Sequence, residues 1–134
     1  MIKRDLLEMI LKKDILSVVG NDYVDFETNE TKPTIVYYIS SNIKDDKPIR
    51  KEVSAATIAS LCIIWCFKQG YNLGLTIEDS RNQLTSSYQF RVKVTPTDYA
   101  EKAFISYNSW DCIFGATEFI RKEINEQIDD LFAR

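Results

Sequence analysis

The chain has 134 residues, 45% hydrophobic and 28% charged, with a formal charge of −3 and no histidine. That apolar content is too high for a disordered chain, and the mild negative charge disfavours broad binding to phosphate backbones. Without an imidazole there is no Ser-His-Asp or Cys-His nucleophile pair, no His-bearing metal site and no histidine acid or base.

In chain order, Ile2, Leu6 and Ile10, with Leu7 and Leu11, recur at three- and four-residue spacing. They predict an amphipathic helix over residues 2–19, with Gly20 as its C-cap. The charged N-terminal stretch has no continuous apolar run of the kind a secretory signal needs. YVDF (23–26) reads as a short strand and ETNETK as a polar loop. PTIVYYIS (33–40) is β-branched and aromatic, with apolar side chains on both faces. That pattern predicts a central strand covered on both sides. IRKEV (49–53) fits a sheet edge, where charges deter further pairing.

AATIASLCIIWCF (55–67) is the most apolar run and carries no charge. A membrane span needs about 20 apolar residues, so the run is too short for lipid. Ser54 suits an N-cap and Gly70 a stop, which predicts a helix over 55–69. Such a helix, apolar on nearly every side, must be covered by the core or by another subunit. NLGLTIE (72–78) and SYQFRVKV (87–94) predict an antiparallel pair joined by DSRNQLTS. Tyr88, Phe90, Val92 and Val94 share one face of the second strand; Gln89, Arg91 and Lys93 share the other.

Thr95-Pro96-Thr97-Asp98 reads as a helix start, with a helix expected through TDYAEKAFISY. A last helix is expected from Asn108 or Ser109 to the end. Its apolar stripe is Ile113, Ala116, Ile120, Ile124, Ile128 and Leu131, and Glu118 and Lys122 are spaced as a surface pair. The sum is a single α+β domain over residues 1–134. A mostly antiparallel sheet packs with an N-terminal helix, a buried central helix and a long C-terminal helix.

Cys62 and Cys66 share a helix face, and Cys112 is distant in sequence. An odd count with no CxxC reads as buried small hydrophobes in a reducing compartment. The glycines at 20, 70, 74 and 115 fit no phosphate-binding loop, and the acids between Asp25 and Glu30 lack the turn glycine of a calcium loop. Glu78-Asp79 and Asp129-Asp130 are neighbours whose side chains diverge. No catalytic residue, metal-ligand set, cofactor or small-molecule substrate is therefore expected. Lys3, Arg4, Lys12 and Lys13 form a small basic cluster. A stacking platform for nucleic acid, however, needs aromatics beside Arg91 and Lys93, and Tyr88 and Phe90 point the other way. Ile63, Trp65, Tyr71, Tyr107 and Trp110 are the candidate protein interface, with ordinary core packing as the competing reading.

The phrase LLEMILKKDILSVVGNDYVDF, followed by KPTIVYYIS, resembles the opening of small phage tail-completion or tail-terminator proteins. The matching residues are Leu16, Val19, Gly20, Tyr23, Pro33 and Ile35 to Ile39, and the resemblance covers about 40 N-terminal residues. It implies a non-enzymatic protein at the head–tail junction or tail end that forms a ring through heterologous subunit contacts.

The leading expectation is thus a structural or assembly protein, a homo-oligomer or part of a larger assembly, located in the virion if phage-derived and otherwise cytoplasmic. The alternative is a small acidic binding module, such as an immunity protein, secretion chaperone or inhibitor, that sequesters one protein partner. Neither reading involves secretion or a membrane.

Overall fold

The computed structural model describes residues 2–17, 23–28, 33–44, 47–80, 87–96, 103–106 and 109–133. The elements are α1 (Arg4–Leu11), β1 (Asp25–Thr28), β2 (Pro33–Ile39), β3 (Ile49–Ser54), α2 (Ala55–Lys68), β4 (Asn72–Ser80), β5 (Ser87–Thr95), β6 (Ala103–Ser106) and α3 (Ser109–Phe132). This is a mixed α+β arrangement with two small antiparallel sheets and a long C-terminal helix. The chain groups into two compact units, Met1–Leu61 and Cys62–Arg134, with the boundary inside α2.

In the first unit the sheet order is β1-β2-β3. The two-sided apolar strand takes the central position, with Ile35, Val36 and Tyr37 buried. The charged strand β3 lies at an edge, as expected of charges that deter pairing. β1 begins at Asp25 rather than 23, after an isolated bridge between Lys3 and Tyr23.

The first helix is much shorter than the apolar spacing predicts. α1 stops at Leu11, and Lys12 turns left-handed at φ 55°. Ile2, Leu6 and Leu7 are buried, as the periodicity requires. Ile15 is buried as well, but from a segment outside any helix or strand. The helix itself holds that segment. Arg4 Nη1 donates to the Ile15 carbonyl at 3.1 Å, and the Ile15 N–H donates to Glu8 Oε2 at 3.1 Å. Next to them, the Leu16 N–H donates to the Tyr38 carbonyl at 2.8 Å. An apolar spacing that continues the helical pattern therefore serves a strand-like return of the chain. Gly20, the expected cap, lies outside the described residues.

In the second unit the sheet order is β4-β5-β6, and α3 packs on β5 and β6. Val92 and Val94 are buried, and Lys93 between them is exposed, which matches the expected alternation. The helix expected over 97–107 is not found where the structure describes it: Ala103–Ser106 is strand β6, paired antiparallel with β5 from Phe90↔Ser106 to Lys93↔Ala103. A four-residue apolar stretch beside an open strand edge gains ladder hydrogen bonds that outweigh a weak local helical preference. Residues 97–102, 107 and 108 lie outside the described residues.

α3 buries Cys112, Ile113, Phe114, Ala116, Thr117 and Ile120. The same stripe then emerges into solvent, with Ile128 and Leu131 exposed. Glu118 meets Arg121 rather than the expected Lys122: the guanidinium grips its carboxylate through two nitrogens, at 2.8 and 3.2 Å. A planar fork at i,i+3 makes a bidentate contact that an ammonium cannot.

All three cysteines are free and buried. Thr117 is the polar node between two of the helices. Its hydroxyl donates to the Ile113 carbonyl at 2.7 Å and lies 3.7 Å from the Cys66 thiol. Burial pushes the Cys62 thiol from 9.0 up to about 12, with a Thr117 hydrogen bond opposing, and pushes Cys66 up in the same way. The unfolded chain releases the Cys62 proton near 9.0, whereas the fold retains it until about 12. Stability from this group is therefore intact below 9.0 and is lost as pH rises toward about 12. Urea midpoints of wild type and Cys62→Ala should differ most at neutral pH and converge above pH 10, the window set by that raised thiol. A constant gap across that range would contradict the assignment.

Candidate interaction surface

α2 has two faces although its sequence is apolar throughout. Ala55, Ile58, Ala59, Cys62 and Cys66 follow helical spacing and are all buried. Opposite them, Leu61 and Ile63 are each 37% exposed, Ile64 is 51% exposed and Phe67 68%. The sequence predicts cover on every side of this helix; the structure covers one stripe. The inner stripe holds Ile58 among alanines and cysteines, while the outer arc sets Leu61, Ile63, Ile64 and Phe67 among the small residues Ala56, Thr57 and Ser60.

The helix ends in a tight turn. Gly70 adopts a positive φ of 91°, open to glycine without steric cost, and the Tyr71 N–H donates to the Cys66 carbonyl at 2.9 Å. β4 follows immediately. Its register sets Leu73, Leu75 and Ile77 opposite Val94, Val92 and Phe90 of β5, on one face of the sheet. Val92 and Val94 are fully buried on that face, yet Leu75 is 46% and Ile77 63% exposed.

Of the residues singled out from sequence, Ile63 lies on the exposed arc of α2. Trp65 and Tyr71 are half-buried at the end of α2 and just beyond it, and Trp110 is half-buried in the first turn of α3. Tyr107 lies outside the described residues. Sequence reasoning missed Leu61, Ile64 and Phe67, and also Leu75 and Ile77. The contrast along α2 is weak, and the clue was the placing of Thr57, Ser60 and Lys68, all exposed on the side away from the buried stripe. For β4 the clue was an uncharged run from Asn72 to Ile77 at a strand that the order places at the edge.

Polar groups elsewhere are engaged structurally. Arg4 of the basic cluster also sits 3.6 Å from Glu8 and 3.7 Å from Asp5. Lys12 and Lys13 border a shallow depression shared with Asp5, Glu8 and Asp14, so charge there is mixed. Arg50 joins Glu27 at 2.9 Å and also pairs with Glu52, three exposed side chains of the first sheet. A cavity of about 50 Å³ lies among Leu16, Tyr23, Val24, Asp25, Val36, Tyr37 and Tyr38. That is room for a few waters, well below the roughly 300 Å³ at which ligand pockets begin. Among the described residues no group of three or more His, Cys, Asp or Glu is placed to hold a metal ion, and no helix is long and apolar enough to cross a membrane. In comparison with known proteins, no family model matches the sequence, and no curated protein and no solved structure is significantly similar to it.

Proposed function

We propose that this chain is a non-enzymatic assembly subunit that works by associating with further copies of itself. The observation that carries the reading is the outer arc of α2, where Leu61, Ile63, Ile64 and Phe67 turn large apolar side chains to solvent. Clustered exposed hydrophobics of this kind mark association surfaces, whereas single ones are ordinary. Phe67, the most exposed of the four, is the type of residue enriched at binding hot spots. The finer reading is a component of a phage tail or neck. It rests on the N-terminal phrase from Leu16 through Ile39 and gives the apolar arc a neighbouring subunit to cover it.

Light scattering over a range of protein concentrations tests the proposal. Wild type should show mass above 15.5 kDa that grows with concentration. Phe67→Glu should show a mass below that of wild type at each concentration, with unchanged circular dichroism and melting temperature. A wild-type monomer at every concentration would overturn self-association and favour the acidic module that captures one different protein.

A further inference from the structure

Each three-stranded sheet has two open edges, and three of the four carry devices that discourage pairing. β1 bears Asp25 and Glu27, and β3 bears Arg50, Lys51 and Glu52, all exposed. β6 is only four residues long. Charge and shortness are the usual protections of a strand edge. β4 has neither. It is nine residues long, uncharged from Asn72 to Ile77, and paired on one side only among the described residues. Its residues pair one to one with β5, without a bulge in the register.

We infer that β4 is the site at which a second copy of this chain adds, antiparallel and across a two-fold axis, to join the two second-unit sheets into one six-stranded sheet. The inference rests on the self-association reading above and names the contact.

The strand is self-complementary in one register. With Leu75 opposite its own counterpart, Leu73 falls opposite Ile77 and Gly74 opposite Thr76. Asn72 then falls opposite Glu78, so this register pairs no two acidic positions. The residues that share a face in β4 also share it across the joint, because opposed residues of antiparallel strands point the same way. Leu73, Leu75 and Ile77 of both copies would then form one continuous apolar row where Leu75 and Ile77 now face water. Gly74 fits the same picture. A methyl group built there meets nothing nearer than the Lys93 carbonyl at 4.0 Å, so packing inside the fold does not demand glycine. A glycine in a strand often marks close approach by another backbone. The joint uses backbone hydrogen bonds, leaving the outer arc of α2 for contacts between the resulting pairs.

The test is a single thiol at the two-fold centre. Opposed residues of antiparallel strands have Cα atoms about 4.5–5.5 Å apart, which a disulfide spans without strain. The three native cysteines are buried, so the new thiol is the accessible one. Under mild oxidation Leu75→Cys should form a covalent dimer that a reductant reverses, at least about tenfold faster than Thr76→Cys, which in this register has no thiol opposite it. Ile77→Lys, which places a charge within the apolar row, should abolish the non-covalent dimer and keep the circular dichroism of wild type. If wild type self-associates but Leu75→Cys cross-links no faster than Thr76→Cys, the β4 joint is wrong and the assembly reading stands. If wild type stays monomeric and no variant cross-links, both fall.

Discussion

Ile58→Asp should abolish the folded state, while Ile64→Asp, six residues later on the same helix, should leave a folded protein that assembles less far than wild type. Ile58 is 0% exposed. A carboxylate placed there would be buried among apolar neighbours, at a cost of several kcal/mol. Total stability of a domain is only about 5–15 kcal/mol, so one such charge is enough to unfold it. Ile64 is 51% exposed, and an aspartate there keeps its water. The expected stability change at that position is within about 0.5 kcal/mol. Ile63→Asp should behave like Ile64→Asp, because Ile63 is 37% exposed on the same arc. Near-ultraviolet circular dichroism and thermal melts read the fold; light scattering reads the association. A native melt for Ile58→Asp would remove the inner stripe from the core, and unchanged assembly in Ile64→Asp would remove the outer arc from the interface.

The second large effect is expected in α3. Ile120→Ala should lower the free energy of unfolding by about 2–5 kcal/mol, the range for truncating a buried aliphatic side chain. Ile128→Ala, two turns further along the same stripe, should change it by no more than about 0.5 kcal/mol. Ile120 is 0% exposed and Ile128 is 44%. Urea unfolding of the two variants against wild type measures the difference. Equal losses would mean that the end of α3 is as tightly packed as its first three turns.

Periodicity alone draws this stripe as uniform from Ile113 to Leu131, and the structure shows where such a reading ends. Spacing tells which side of a helix is apolar; it does not tell how far the neighbouring sheet extends beneath it. The strands were legible where two signals agreed. In β2, β-branched residues and apolar character on both faces give a central position, and in β5 strict alternation gives one buried face. They were not legible in β6, where Ala103–Ser106 has no strong preference and the edge of β5 decides. α1 misled for a different reason. Ile15 and Leu16 continue the spacing, but Lys12 turns the chain and the side chains of Arg4 and Glu8 retain it. The candidate surface was half visible. Ile63 was named from the apolar run, whereas Leu61, Ile64 and Phe67 separate from their helix mates only once Ala55, Ile58, Ala59, Cys62 and Cys66 are known to face inward.

The hold of α1 on the Ile15 segment has a consequence for the order in which the elements become stable. α1 has eight residues, below the roughly 12–15 at which an isolated helix becomes marginally stable in water. Its fastenings lie downstream: the Val24 N–H donates to the Ile2 carbonyl, and Leu16, beside the clamped Ile15, reaches the Tyr38 carbonyl. α1 is therefore not the first element to persist. It waits for the strand that contains Tyr38, and until then Ile2, Leu6 and Leu7 lack the cover they have in the fold.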